Sequence, residues 1–395
     1  MPDLTTFSLI AAVLCSLIVG QAAFRADTLR VQIHVAPSIE QTGFNAAIAE
    51  EVFAATASRL TEGDSLIPPP TLRVRGQPGL VGALAKSMAM SDLVSAAQDG
   101  LGIENMTVTA AMTRPDPKTV AKAAPPAGGP AQTNAAAPPL ELVLVVSQAG
   151  RGLDQTRIRQ PHGTDPISLV EQGAFWTMER VAPYRVVFAE FLAATHVGNG
   201  DMTRARETAL RVLSRRWEVE QSSERAMIYN SLALMALFDN DPGQAETQLR
   251  LAELVPGVQS AVRGALAFNH AMLAVARKRP GEAREWFQAG QKLASGIAIP
   301  DFDINLKVMD ALVLWSNGDL TGAEAALRAA VKAAPESESA HFYLAQVLDL
   351  KGDRAGSAEA LSAAQAARRF DPKHQALVVS LFWVDPVKGE TRLRR

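Results

Sequence analysis

The sequence predicts an α-solenoid of about five helical hairpins, preceded by a small α/β domain and an N-terminal apolar helix. Three observations predict it. Turn residues recur at similar intervals between residues 186 and 370. Paired small side chains recur in step with those turns. The stretch before residue 182 instead mixes strand-like alternation with single helical stripes. The chain therefore divides into an apolar segment (1–26), an α/β domain (27–181, with an insertion at 114–139), an array (182–372), and a capping helix with tail (373–395).

The turns carry the first part of the argument. Asp201, Asp241, Asp319 and Asp353 follow Gly200, Asn240, Gly318 and Gly352 respectively. Gly and Asn tolerate the left-handed backbone that closes a helix. Asp then offers a side-chain oxygen to the free N–H groups of the next helix. A fifth turn, Lys278-Arg279-Pro280, lacks the Asp but puts Pro at the first helical position, where no N–H is needed. Pro242 has the same place after Asp241.

The small residues carry the second part. Ala205, Ala245, Ala283, Ala323 and Ser357 lie four residues past the turn positions. Ala193, Ala233, Ala271, Ala311 and Ala345 precede them by twelve. Antiparallel helices approach closely only where side chains are small, so each pair marks a crossing. Leu249, Phe287, Leu327 and Leu361 lie one turn further along the same face and fill the gap to the next unit, with Ala209 the exception.

This pattern resembles the tetratricopeptide repeat (TPR), which pairs small residues, follows them with an aromatic or leucine, and has a proline near the end of the unit. Pro335 matches that proline and Pro256 falls one residue early. Ala252, Gly290, Ala330 and Ala364 fill a further small position of the family, and Val212 departs from it. The resemblance covers nearly half the chain. Successive second small positions are 40, 38, 40 and 34 residues apart, against a family period of about 34. Extra residues must therefore lengthen second helices or joints.

The resemblance implies that the first helices line a concave groove. The family pattern puts Glu190, Met227, Asn230, Leu234 and Phe238 there, then Phe268 and Met272. Val308, Leu312 and Trp315 follow, and Phe342, Gln346 and Asp349 complete it. Most are apolar, which suits a protein partner presenting an apolar helix or extended segment. The alternative is that several of them pack between neighbouring units. The groove lacks the Lys/Arg/Asn cluster with which chaperone-binding members hold a C-terminal carboxylate. Arg204, Arg206, Arg211, Arg215 and Arg216 fall on a second helix and read as a solvated face.

Composition sets the outer bounds. Lys and Arg number 39 against 41 Asp and Glu, so no basic surplus points to nucleic acid. The one cysteine, Cys15, excludes an internal disulfide and a multi-cysteine zinc site. The segment 4–24 carries no charge; as a helix it is about 30 Å long, the thickness of a bilayer core. It fits a single-pass membrane anchor, and it also fits a signal peptide cleaved near Gly20-Gln21-Ala22 or a buried helix. Arg25 and Arg30 favour a cytoplasmic body, whereas the short N-terminal tail favours export; the balance leans to an exported, periplasmic body.

Residues 29–35 alternate as a strand with one buried face. Phe44, Ile48 and Val52 form a helical stripe, 72–75 resumes a short strand, 80–98 is mainly helical, and 105–112 alternates again. The segment 114–139 holds seven prolines, which makes it a disordered or polyproline-like linker. Strand-like runs flank it at 105–112 and 140–147, so it reads as an insertion within a β-hairpin. A further strand is expected at 153–159, and Asp165-Pro166 caps a helix that packs through Leu169, Val170, Gly173 and Trp176. Residues 373–382 are expected to form a helix that covers the last hairpin.

Chemistry is sparse. Gly63-Asp64-Ser65-Leu66 and Asp371-Pro372-Lys373-His374 resemble the paired motifs of a lipase and esterase family. Ser65 here follows a helix and His374 ends the array, so the two do not come within about 3 Å, and a serine hydrolase is a remote alternative. No two of the six histidines have metal-ligand spacing. No phosphate- or dinucleotide-binding fingerprint is present, so no catalytic residue, cofactor or metal is expected. The sequence thus points to a non-enzymatic, membrane-tethered scaffold or adaptor. An envelope sensor, with the α/β domain binding the ligand, is the alternative. Small α/β modules between a membrane span and a TPR array are familiar in bacteria, which is analogy at the level of architecture.

Overall fold

A computed structural model describes residues 28–61, 67, 71–74, 105–114, 139–148, 151–160, 165–196, 200–217, 221–294, 302–367 and 377–393. The apolar segment at 4–24, the helix expected at 80–98, all but the ends of the insertion at 114–139, and the Ser65 and His374 motifs lie outside them. The chain divides into two compact units, one of residues 1–61 and 69–182, the other of residues 62–68 and 183–395.

The first unit is built on β1 (Thr28–Val35), β2 (Thr71–Val74), β3 (Asn105–Thr113), β4 (Leu140–Gln148) and β5 (Arg151–Gln160). They form one sheet in the order β2-β1-β3-β4-β5. β1 runs parallel to β2 and β3, and the pairs β3–β4 and β4–β5 are antiparallel. Thr113 pairs with Glu141, so the strands on either side of the insertion are direct neighbours. Strand alternation sends Leu29, Val31 and Ile33, then Val108, Ala110 and Met112, then Leu140, Leu142, Leu144 and Val146 into the core.

Helices α1 (Pro37–Glu40), α2 (Ala46–Thr61) and α3 (Pro166–Val181) complete this unit. Asp165 caps α3 by accepting from the Ile167 N–H at 3.0 Å. Gly173 lets α3 lie close to β4, because a Cβ there would come within 2.7 Å of Leu142 Cδ2. Of the stripe expected from Phe44, Ile48 and Val52, Phe44 is buried just ahead of α2 and Val52 is half-buried, but the stripe is not the centre of the packing face. Ile48 is exposed, and Ala49, Phe53 and Ala57 are buried instead. Alanines bring the helix axis close to its neighbours and leave the larger Ile48 outside. Glu50, also on this buried side, accepts from the Ile33 N–H at 3.1 Å, beyond Val31, the last residue of β1 that pairs with β2.

The second unit holds five helical hairpins among its described residues. They are α4–α5 (Pro183–His196, Thr203–Leu213), α6–α7 (Ser222–Phe238, Pro242–Glu253), α8–α9 (Ser260–Ala276, Pro280–Leu293), α10–α11 (Phe302–Ser316, Leu320–Ala333) and α12–α13 (Glu338–Leu350, Arg354–Ala366). Each first helix packs on its own second helix and on the first helix of the next hairpin. This is the stacking of a solenoid.

The turns explain the repeat locally. Gly200, Asn240, Gly318 and Gly352 have positive φ, and so does Lys278 at +57°. In four turns a backbone bond closes the preceding helix: Asp241 N–H to Ala236 O, Arg279 to Ala274, Asp319 to Leu314 and Asp353 to Leu348. Asp241, Asp319 and Asp353 then accept from the N–H three residues on, at 2.8–2.9 Å.

Ile67 belongs to this unit although it precedes most of the sheet in sequence. It is buried in the hydrophobic cluster of the array with Tyr184 and Phe188. Arg185 Nη2 donates to its carbonyl at 3.0 Å.

The C-terminal stretch departs from expectation. Among the described residues of this stretch, 377–393, only one helical turn forms, α14 (Val378–Leu381), followed by a hairpin of β6 (Phe382–Asp385) and β7 (Glu390–Leu393). The connecting turn explains this. Asp385 Oδ1 accepts from the N–H groups of Val387 and Lys388 at 2.9 and 2.8 Å, and Gly389 takes φ +75°.

Candidate functional site on the first helices

In the three middle hairpins the small pairs sit where the helices cross: Ala233 with Ala245, Ala271 with Ala283, and Ala311 with Ala323 are all buried. Leu249, Phe287 and Leu327 are buried one turn along. The ends differ. Ala193 is exposed in the first hairpin. In the last hairpin Ser357 is half-buried and Leu361 is 43% exposed. Leu361 faces the position of a next unit, and no sixth hairpin follows among the described residues.

The residues expected to line a groove are mostly covered. Met227, Asn230 and Leu234 on α6, Phe268 and Met272 on α8, and Val308, Leu312 and Trp315 on α10 are buried. Phe238, Phe342 and Gln346 are half-buried, and Asp349 is exposed. Glu190 pairs with Arg204 at 2.6 Å, and Arg206 pairs with Asp239.

Phe268 does not face outward. Its ring lies 5.5 Å from Phe287 and 6.1 Å from Phe302, inside the junction of two hairpins. Gly290 makes room for it, since a Cβ there would fall 2.6 Å from Phe268 Cε1. Phe238 lies over the α4–α5 turn, where a Cβ on Gly200 would meet its Cζ at 2.9 Å.

What lies across the first helices is the C-terminal segment. α14 packs on α8 and α10, β6 packs on α8, and β7 touches α6. Leu377, Val378, Val379, Leu381, Phe382 and Val384 are buried there. Asn269 Nδ2 donates to Asn230 Oδ1 at 2.7 Å, and Asn269 Oδ1 accepts from the Val378 N–H at 2.7 Å. The Tyr343 hydroxyl accepts from the Val384 N–H at 2.7 Å. The Trp383 ring lies 4.1 Å from Phe342 and 5.5 Å from Tyr343.

Sequence reasoning picked Asn230 and Phe342 and missed Asn269 and Tyr343. A signal was there for Asn269. A polar side chain inside a mainly apolar helical run must find a partner, and Asn269, with His270 after it, lies between Phe268 and Ala271 in such a run.

A second polar group is built between α7, α8 and α9. His270 is buried and stacks on Trp286, with ring centroids 4.4 Å apart. Burial pushes its imidazole down to about 4, against an opposing hydrogen bond to the Leu249 backbone. The Glu253 carboxylate lies 3.5 Å from His270 Nε2, and burial raises it to about 7. Glu224 is raised to about 7 by burial too, although it accepts from the Tyr184 N–H at 2.8 Å. Among the described residues no group of His, Cys, Asp and Glu could hold a metal ion. No described helix is long and apolar enough to cross a membrane.

Residues 308–372 match a family model described as a tetratricopeptide repeat. No curated protein matches the chain. The match covers α12 and α13 whole and most of the hairpin before them. Together with the consecutive helical hairpins, it supports a tetratricopeptide repeat protein, a kind of array that generally mediates protein–protein interaction.

Proposed function

We propose that the chain is a non-enzymatic scaffold or adaptor that binds a protein partner through the first helices of its array. It is tethered to a membrane by residues 4–24, with its body on the exported side. The observation that supports this reading is the stack of hairpins whose first helices touch one another in series. Such a row is the kind of continuous face by which repeat arrays hold partners. Phe342 and Gln346 on α12 keep partial exposure beside the exposed Asp349, as Glu190 and Phe238 do on α4 and α6.

Photo-crosslinking tests the binding face. A photoreactive residue placed at Gln346 in the full chain is expected to capture a protein that the same residue at the exposed Leu210 on α5 does not. Capture from Leu210 alone would refute the assignment. A compartment-sensitive reporter fused after Arg395 tests the tether; signal in a soluble fraction would refute it.

A further inference from the structure

We propose that residues 377–393 are a built-in occupant of the first-helix face, displaced by a partner's apolar segment of the same form, a helical turn running into a strand. The proposal rests on the array being the binding face and names the chemistry of what binds there.

Four first helices meet this segment. α6, α8 and α10 pack against it, and α12 holds it through Phe342 and Tyr343. These are the helices that carry the expected partner-binding residues. Two polar anchors are of one kind. Asn269 and Tyr343, side chains of the array, take main-chain N–H groups of the segment. A main-chain N–H is offered by every residue except proline. The two anchors therefore recognise main chain rather than a particular side chain, one at the start of a helical turn and one in a strand. Selectivity comes from the apolar seats of Val378, Val379 and Phe382 and from the tilted contact of the Trp383 ring with Phe342.

The segment is poorly explained as an end cap. It leaves Leu361 on the last hairpin 43% exposed and lies along the first helices instead. It is also poorly explained as a module of its own. Its two strands are four residues each, and an isolated two-stranded hairpin is marginal in water. The small-residue crossings of the middle hairpins and the Phe268–Phe287–Phe302 cluster are made by array residues alone. What the segment adds is main-chain donors for Asn269 and Tyr343 and apolar cover for the face, and another chain of the same turn-and-strand form can supply both. Because it belongs to the same chain, any partner competes with an intramolecular rival and binds with reduced apparent affinity.

The test uses the full chain and a fluorescein-labelled synthetic peptide of residues 377–393, read by fluorescence anisotropy. Val378→Pro in the chain removes the donor to Asn269 at the first position of α14, where proline fits, and Leu377 before it is already extended at ψ 140°. Val384→Pro removes the donor to Tyr343. Either change weakens the internal rival, so the chain is expected to bind the unaltered peptide at least tenfold tighter than the parent does. A peptide carrying Val384→Pro is expected to bind at least tenfold more weakly than the unaltered peptide.

Absence of peptide binding to the parent and to both folded variants would make the segment fixed core and overturn the proposal. Capture of a protein from Gln346 in the same preparation would then leave the adaptor reading standing. A concentration-dependent dimer of the variants would make the occupant a second copy's tail and also overturn it. Should the proline variants fail to fold, hydrogen exchange on the parent decides. Amides of Val378 and Val384 exchanging ahead of α8 amides support displacement; exchange only with global unfolding refutes it.

Discussion

Helices α8 and α9 form one hairpin and have opposite characters. From Val262 to Ala276, α8 buries nearly every residue, whereas α9 buries only Ala283, Phe287 and Gly290. The difference follows from position. α8 is enclosed by its own partner α9, by α6, α7 and α10, and by the C-terminal segment. α9 touches its partner on one side and α10 on another, and turns Arg284 and Glu285 to water. A helix in such an array is amphipathic only if it stands in the second row. First-row helices read as apolar all round, which in an isolated sequence looks like an open sticky face.

The strongest way to break this contrast is Phe268→Ala on α8. The ring is fully buried between two hairpins, so its removal should cost about 3–5 kcal/mol of stability in a urea titration. A loss below about 1 kcal/mol would mean that the first row is less tightly packed than described.

Gly290→Ala approaches the same contact from the second row. The new methyl would sit 2.6 Å from the Phe268 ring, and the expected loss is about 1–3 kcal/mol. The double variant with Phe268→Ala should lose less than the sum, because the cavity then accepts the methyl.

The third prediction concerns pH. His270 is depressed to about 4, so it contributes stability that is lost as pH falls from about 6.5 towards about 4. Glu253 is raised from 4.5 to about 7, so its contribution is present below 4.5 and lost as pH rises through about 7. The two oppose each other between 4.5 and 6.5. Glu253→Gln leaves His270 without that opposition. The variant should therefore lose stability on acidification more steeply than the parent, by up to about 1.4 kcal/mol per pH unit. Equal slopes in melts at pH 5 and pH 6.5 would count against the buried pair.

Lys278→Gly tests the one turn that lacks a Gly or Asn. The backbone there has φ +57°, and relief of the strain should raise stability by about 1 kcal/mol. The smallest effect belongs to Leu361→Ser on the outer row of the last hairpin, expected to stay within about 0.5 kcal/mol. A larger loss would show that a surface covers it.

Much of this contrast was legible in the residues, and the limits have physical causes. Turns are local, so Gly200, Asn240, Gly318 and Gly352 with their following aspartates could be read directly, as could Pro166 behind Asp165. The middle small pairs were legible because a close crossing admits few residue types. The exposed Ala193 shows that the pattern alone does not say where an array ends. On α2 the larger Ile48 looked like the packing residue, yet alanines make the close contact. Phe268, Met272 and Leu312 were placed on an open face because helical period gives a side of the helix, not what covers it. Residues 378–385 pack on helices as far back as α8, and β7 reaches α6. A local reading has no access to a docking partner so distant in the chain.

Ile67 has a consequence for how the molecule comes into being. It leaves the ribosome early, yet the arginine that grips its carbonyl is 118 positions later. Until that arginine and the neighbouring rings emerge, this isoleucine lacks the apolar surroundings that bury it. Severing the chain before Pro183 would split a structural whole, leaving a hollow in one fragment and a stray hydrophobe in the other. An expression boundary drawn by the helical pattern alone would make that mistake.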